Sequence, residues 1–397
     1  MKMKFLKSLP GKLLLGIIAG TVFGLLAPQG AMTVIVPIKN VMGQLINFIV
    51  PLIVIGFIAP SITKLGSSAS RMLGVALVLA YVSSVLAALL SAAVGYVLIP
   101  VMNTAREAAV LRELPADVFA LQIPQIMSVM SALAFSVLIG LAAVWTKAKM
   151  VISLLDEFQK IVLEIVSRVV IPVLPFFIAC TFSCLAYEGT ITEQLPIFLM
   201  AVVIVLAGHF VWLAVLYAAA GIYSGKNPKE VFRHYGPAYI TAVGTMSSAA
   251  TLSVALQCAH KSKVLRKDMV DFGIPLFANI HLCGSVLTET FFCMIVSLIL
   301  TGALPSVGTM ILFCALLAIF AIGAPGVPGG TVMASLGIVT SILGFGPEGT
   351  ALLLAIFAIQ DSFGTACNVT GDGALTLMLT GYAEKHGIAQ EHIEINL

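Results

Sequence analysis

The chain has 397 residues, of which 60% are hydrophobic and only 10% charged, against about a quarter charged in an ordinary soluble domain. Mean hydropathy is +1.09. So few charges cannot cover a water-facing surface, and such hydrophobicity excludes disorder. A cytosolic enzyme and a secreted domain are excluded, which leaves a polytopic membrane protein. Net charge is +3 and says less than where the charges fall.

The basic segment 1–12 runs into an apolar stretch from Leu13 to Ala27. No A-x-A-like cleavage site follows before the next apolar segments, so this reads as a first transmembrane helix rather than a signal peptide. Long apolar runs follow at 40–62, 72–103, 130–146, 150–186 and 194–223. Four less regular segments come next, at 235–259, 270–302, 309–343 and 349–382. A barrel would alternate over about ten residues, and these runs do not. The charged stretch 104–125 reads as a surface loop joining parts of span four. Cys180, Cys184, Cys258, Cys283, Cys293, Cys314 and Cys367 all lie in apolar stretches without a CxxC pair, so buried reduced thiols are expected.

Basic residues orient the spans. Lys2, Lys4, Lys7 and Lys12 precede span one; Lys64 and Arg71 lie between spans two and three; Lys147 and Lys149 precede span five. Lys226, Lys229 and Arg233 follow span six, Lys261, Lys263, Arg266 and Lys267 fill one later loop, and Lys385 is near the C-terminus. These sixteen of 21 place the N-terminus in the cytoplasm, and the intervening loops hold only Lys39, Arg106 and Arg112. Lys160 and Arg168 sit inside span five, each four residues from Glu164, where helix-surface pairing offsets part of their cost.

Simple spans fail at one point. The loops 224–234 and 260–268 are both basic and so both cytoplasmic, which requires 235–259 to enter and leave on one side. A re-entrant hairpin does this, with Gly244-Thr245-Met246-Ser247-Ser248-Ala249-Ala250-Thr251 at its tip. The segment 309–343 has the same character: its middle, Gly323-Ala324-Pro325-Gly326-Val327-Pro328-Gly329-Gly330-Thr331, cannot continue a helix. The expected fold is all-α, with eight transmembrane helices plus two re-entrant helical hairpins. Hairpin then helix, twice and with opposite orientation, is the inverted-repeat pattern of a secondary transporter binding cargo near the midplane. Irregular backbone at that depth must line a cavity or protein.

Three carboxylates fall inside the apolar zone: Glu289, Asp361 and Asp372. A carboxylate there costs at least a few kcal/mol and marks function. Asp361, Thr365, Asn368 and Asp372, spaced +4, +3 and +4, form one narrow polar stripe on the last helix. A seam that merely packs helices would not carry two carboxylates without a basic partner, so cations are expected there: one an organic ammonium, the other a metal ion. A hard cation such as Na⁺ suits Asp372 with backbone carbonyls of broken helices. His281, Ser285 and Glu289 recur every four residues on the preceding helix, where Gly284 marks a candidate break. Glu289 is either a hydrogen-bonded helix-end carboxyl or a proton carrier; His281 is either a satisfied interior histidine or part of the coupling. His209 in span six reads as structural.

Asn368-Val369-Thr370-Gly371-Asp372, preceded by Asp361 and Thr365, resembles the last helix of the dicarboxylate/amino acid:cation symporters, the family of glutamate and neutral amino acid transporters. Ser247-Ser248 resembles its serine-rich first hairpin, and Gly326-Val327-Pro328-Gly329 looks like the tip of its second. The order of elements agrees over nearly the whole chain and most strongly over 225–382. The resemblance implies a homotrimer working as an elevator. Residues 1–70 would be scaffold and hinge helices, 71–149 a transport-side helix 3 and a trimerisation helix 4, and 150–187 scaffold. Residues 188–225 would be helix 6 of the transport domain and 226–397 the transport core. It also implies that Asp361 binds an α-ammonium, and that Asn368 binds an α-carboxylate with backbone N–H groups of Ser247 and Ser248. Ser285, Thr365, Gly364 and Val327 would line the pocket. Asp372 would be a sodium ligand, with backbone carbonyls of Asn368 and His281. Gly326, Pro328 and Gly329 would form the extracellular gate over another sodium.

The departures from that pattern carry information. Acidic-substrate members place an Arg at Gly364, and some relatives place one at Met246. Without a cation, a second substrate carboxylate has no partner. Glutamate, aspartate and dicarboxylates are therefore rejected, and a neutral amino acid of serine, threonine or alanine type is expected; Gln360-Asp361-Ser362, followed by Thr365 and Asn368, resembles the bacterial serine/threonine branch. Gly364 also leaves room for a larger neutral side chain. The family's Asn-Met-Asp-Gly-Thr is His281-Leu282-Cys283-Gly284-Ser285 here, and Phe357 stands at another acidic position, so a deep third sodium site is lost. Glu289 matches the Glu of proton-coupled members. The expected activity is symport driven by Na⁺, with a proton on Glu289 or His281 as an alternative coupling ion, in the plasma (inner) membrane of a bacterium. The expected partners are amino acid and lipid, with no organic cofactor and no nucleic acid. Tyr81, Ser83 and Ser84 are candidates to approach the cation sites. The rivals are a passive channel, a structural scaffold and an intramembrane hydrolase using Ser247 or Ser248; the last lacks any catalytic motif.

Overall fold

A computed structural model describes residues 9–67, 71–102, 112–116, 123–124, 126–324 and 329–388. Among them no strand occurs; helices follow one another along the chain. The first is α1 (Leu9–Leu26), followed by α2 (Gln29–Ser67), which contains Pro37, Pro51 and Pro60, and α3 (Arg71–Leu98), which ends in a 3₁₀ turn at Ile99–Val101. Next are α4 (Val129–Trp145), α5 (Lys149–Ile165), α6 (Ile171–Glu188) and α7 (Thr190–Ser224). A π turn at Val166–Val170 joins α5 to α6, and α6 stops at Gly189, whose φ of +92° favours glycine. Most of the expected loop 104–125 lies outside the described residues.

α1 packs along α6. A Cβ added at Gly20 would sit 2.2 Å from the Ala179 carbonyl oxygen, and one at Gly24 would sit 2.1 Å from that of Ser183. The backbones can approach this closely only because these α1 positions are bare, the small-residue packing typical of helices in lipid. In span five, Arg168 pairs with Glu164 at 2.7 Å as expected, but Lys160 pairs with Glu157 at 2.7 Å instead. Spacing alone does not distinguish i−3 from i+4 here.

The second half begins with a single turn, α8 (Lys229–Phe232), and the first hairpin, α9 (Gly236–Thr245) and α10 (Ser248–His260). The chain reverses at Met246, with a positive φ of 53°, and Ser247 caps α10 by accepting from the Ala250 N–H. The less regular segment near 270–302, where a break at Gly284 is expected, divides into α11 (Lys267–Ile280) and α12 (Cys283–Thr301). His281 and Leu282 are non-helical, so the break precedes Gly284 by two residues. Gly284 is instead a site of close approach: its added Cβ would lie 2.5 Å from the Gly364 carbonyl oxygen. The second hairpin has arms α13 (Val307–Gly323) and α14 (Gly330–Ile342); its tip residues Gly326, Val327 and Pro328 lie outside the described residues. A last helix, α15 (Pro347–Lys385), is continuous over 39 residues.

Among the described residues, five segments are long and apolar enough to cross a membrane: 71–101, 149–188, 197–224, 267–301 and 347–385. Shorter apolar helices, both arms of the second hairpin among them, accompany these. In their most apolar windows 267–301 and 347–385 are 89% and 83% buried, against 39% and 33% for 71–101 and 197–224. The core therefore lies in the second half, where α12 and α15 are shielded by α3, α7 and α9. All seven cysteines are free, and all but half-buried Cys180 are buried.

Candidate functional site

The site is built on the seam between α12 and α15. The narrow stripe of Asp361, Thr365, Asn368 and Asp372 is buried along its whole length. The stripe meets three different elements.

At its upper end, Asp361 Oδ2 accepts from the Gly329 N–H at 2.7 Å. Gly329 opens α14 with φ +72°, a conformation that favours glycine. The carboxylate therefore holds the start of a hairpin arm. No Lys or Arg is paired with it among the described residues.

One turn below, Gly364 faces Ser285, whose Oγ would be 3.5 Å from an added Cβ. That is ordinary contact, so packing does not demand a glycine. Asn368 follows. Its Oδ1 accepts from the N–H groups of Gly284 (2.7 Å) and Ser285 (3.2 Å), and its Nδ2 donates to Ser285 Oγ (2.9 Å). Those N–H groups are donors that the first turn of α12 cannot satisfy within the helix. Asn368 thus serves as a cap supplied from another helix.

At the lower end, Asp372 Oδ1 meets His281 Nδ1 at 2.9 Å, while His281 Nε2 meets Ser83 Oγ at 2.8 Å. An ionised carboxylate only accepts, so His281 donates from Nδ1. The break after α11 brings this ring to Asp372, and all three side chains are buried. Asp372 Oδ2 and Thr370 Oγ1 are buried without a hydrogen-bond partner. Ser83 approaches the carboxylate through this histidine; Tyr81 instead donates to the Ala315 carbonyl at 3.4 Å, and Ser84 Oγ is buried without a partner.

Two further contacts fix α12. Glu289 Oε1 accepts from Ser335 of α14, leaving Oε2 unpartnered. His209 Nε2 reaches the Gly284 carbonyl (3.0 Å) and Thr288 Oγ1 (2.9 Å), which joins α7 to the start of α12. On the first hairpin Ser247 and Ser248 are buried, and Thr245 and Thr251 are bonded across the tip at 2.9 Å.

Sequence reasoning does not single out Ser335, nor does it pair His209 with Gly284 and Thr288, which lie on a distant segment. Nor does it assign a role to Gln360, whose buried amide atoms both lack partners.

Among known proteins, the chain is 28% identical to excitatory amino acid transporter 2 of Mus musculus over 256 residues, covering 62% of this chain and 43% of that protein. It is 25% identical to an excitatory amino acid transporter of Caenorhabditis elegans over 253 residues, or 62% and 49% of the two chains. It is 31% identical to excitatory amino acid transporter 3 of Mus musculus over 160 residues, or 40% and 29%. Each match spans less than half of the relative's length. The profile of the sodium:dicarboxylate symporter family matches residues 9–381, and the chain, a multi-pass membrane protein, belongs to that family.

Proposed function

We propose that the protein is a secondary symporter that imports a small neutral amino acid of serine, threonine or alanine type, coupled to Na⁺. The observation that carries this reading is Asp361: a buried carboxylate tied to the first turn of a hairpin arm, with no paired Lys or Arg among the described residues. An α-ammonium supplies the missing positive charge. Ser247, Ser248, Ser285, Thr365 and Asn368 supply polar groups around it, and the second hairpin closes over the cargo.

The family and its relatives carry transporter names, so the neutral cargo rests on residues of this chain. Gly364 carries no cation, although a Cβ there would make only ordinary contacts, at 3.5 Å from Ser285. A substrate with a second carboxylate would have to be buried against Glu289 and Asp361 without an opposing charge, which is expensive.

Na⁺ enters this reading as a co-substrate. Asp372 keeps one oxygen without a hydrogen-bond partner. The other oxygen is occupied by His281. This favours fewer bound sodium ions, with a proton on Glu289 or His281 as the second coupling ion. An elevator movement of the transport core within a homotrimer completes the proposal.

The test is uptake into proteoliposomes. Labelled serine, threonine or alanine should accumulate under an inward Na⁺ gradient, and counterflow should be seen without one. Accumulation of aspartate, with none of these three transported, would contradict the neutral reading. Uptake that saturates nowhere would favour a channel.

A further inference from the structure

Gln360 is fully buried, and among the described residues it alone leaves two buried side-chain polar atoms without a partner, Oε1 and Nε2. A buried amide that bonds to nothing is costly. The residue precedes Asp361 on α15, at the level where that carboxylate holds the second hairpin arm.

The register of the seam shows what stands opposite. An added Cβ at Gly371 would lie 3.0 Å from His281 Cε1, and one at Gly364 would lie 3.5 Å from Ser285 Oγ. Numbers fall along α15 as they rise along α12, so the two helices run antiparallel. A further four residues on each helix, a rise of about 6 Å, brings Gln360 level with Glu289. Residues four apart share a helix face, so both continue the faces already in contact at Gly364 and Ser285. Glu289 contributes another buried atom without a partner, Oε2. Ser335 of α14 roofs this level from the hairpin side. Below it, Gly364 puts no side chain between Gln360 and the polar groups of Ser285 and Asn368.

We propose that Gln360 is a specificity-determining residue: its carboxamide, with the free oxygen of Glu289 opposite, receives a hydrogen-bonding neutral side chain of the transported amino acid. The inference rests on the amino acid reading above and narrows it. A carboxamide presents both a donor and an acceptor, so a hydroxyl or carboxamide on the cargo satisfies it. An aliphatic side chain leaves it unpaired, and sites built around hydrogen bonds discriminate strongly against cargo that lacks them. A carboxylate side chain would face Glu289 and is disfavoured.

The experiment measures KM for serine, glutamine and alanine in proteoliposomes of the full-length wild type, Gln360→Leu and Gln360→Ala. Gln360→Leu keeps the volume and removes the hydrogen bonds; Gln360→Ala adds no bulk and serves if the first variant fails to fold. The expected result is a KM for serine or glutamine raised at least tenfold, about 1.4 kcal/mol, with alanine changed less than twofold. Equal changes for all three amino acids, or no change, would overturn the proposal while leaving amino acid transport intact. Wild-type vesicles that take up none of the three would overturn the amino acid reading itself, and this inference with it.

Discussion

Asp361 and Asn368 share one stripe and do different work. Among the described residues, Asp361 bonds only to a backbone N–H at the start of the hairpin arm, which leaves its charge available to a cation. Replacing it by Asn removes one partner of a buried ion pair, a loss of roughly 3–5 kcal/mol. Asp361→Asn should therefore abolish measurable serine uptake, with thermal stability in the absence of amino acid little changed. Asn368 has its carboxamide committed to the first turn of α12. Asn368→Ala should lower the unfolding temperature without any cargo present, since orphaning those buried donors costs about 1–3 kcal/mol. An unchanged unfolding temperature would mean that Asn368 serves cargo alone. The stripe itself is legible in the sequence, because polar residues at +4, +3 and +4 in an apolar run fall on one helix face and two of them are carboxylates without a basic neighbour. The partners are not legible. Gly284 and Ser285 lie more than eighty residues away from Asn368, and only packing of α12 on α15 joins them. The family resemblance implies a backbone carbonyl from His281; the bond of its side chain to Asp372 is a separate contact that the resemblance does not imply.

At the scale of elements, the first hairpin follows from the placement of charge alone. Two basic loops on one side require a re-entrant segment over 235–259, and the helices Gly236–Thr245 and Ser248–His260 meet that requirement. The weak helix propensity of glycine points to Gly284 as the break between α11 and α12. The break falls at His281 and Leu282 instead, where tertiary bonds from His281 to Ser83 and Asp372 compensate for the lost helix. The proposed proton coupling belongs to this scale, since Glu289 joins α12 to the hairpin arm through Ser335. If that carboxyl carries a proton during transport, Glu289→Gln should flatten the dependence of uptake on pH, because a group that exchanges its proton during the cycle makes the rate depend on pH. A pH profile identical to the wild type would remove Glu289 from the coupling. At the other side of the molecule, Gly24→Leu would drive a side chain into the Ser183 carbonyl region of α6. Loss of folded protein, read by size-exclusion chromatography in detergent, is the expected outcome.

For the whole molecule, burial divides the chain. The segments 267–301 and 347–385 are enclosed, while 71–101 and 197–224 are largely exposed to what surrounds the protein. Low charge marks the chain as a membrane protein, and the few carboxylates inside it concentrate at one seam between α12, α15 and the second hairpin. Their partners are a histidine, a serine and a backbone N–H rather than Lys or Arg. A chain organised this way suits a carrier whose cargo brings its own positive charge and no extra negative one. The most direct measurement is uptake by purified protein in proteoliposomes, with an inward Na⁺ gradient, of labelled serine and labelled aspartate in parallel. Serine should accumulate in a Na⁺-dependent manner that is lost in Asp361→Asn, and aspartate should not accumulate. Accumulation of aspartate without serine would contradict a carrier of neutral amino acids.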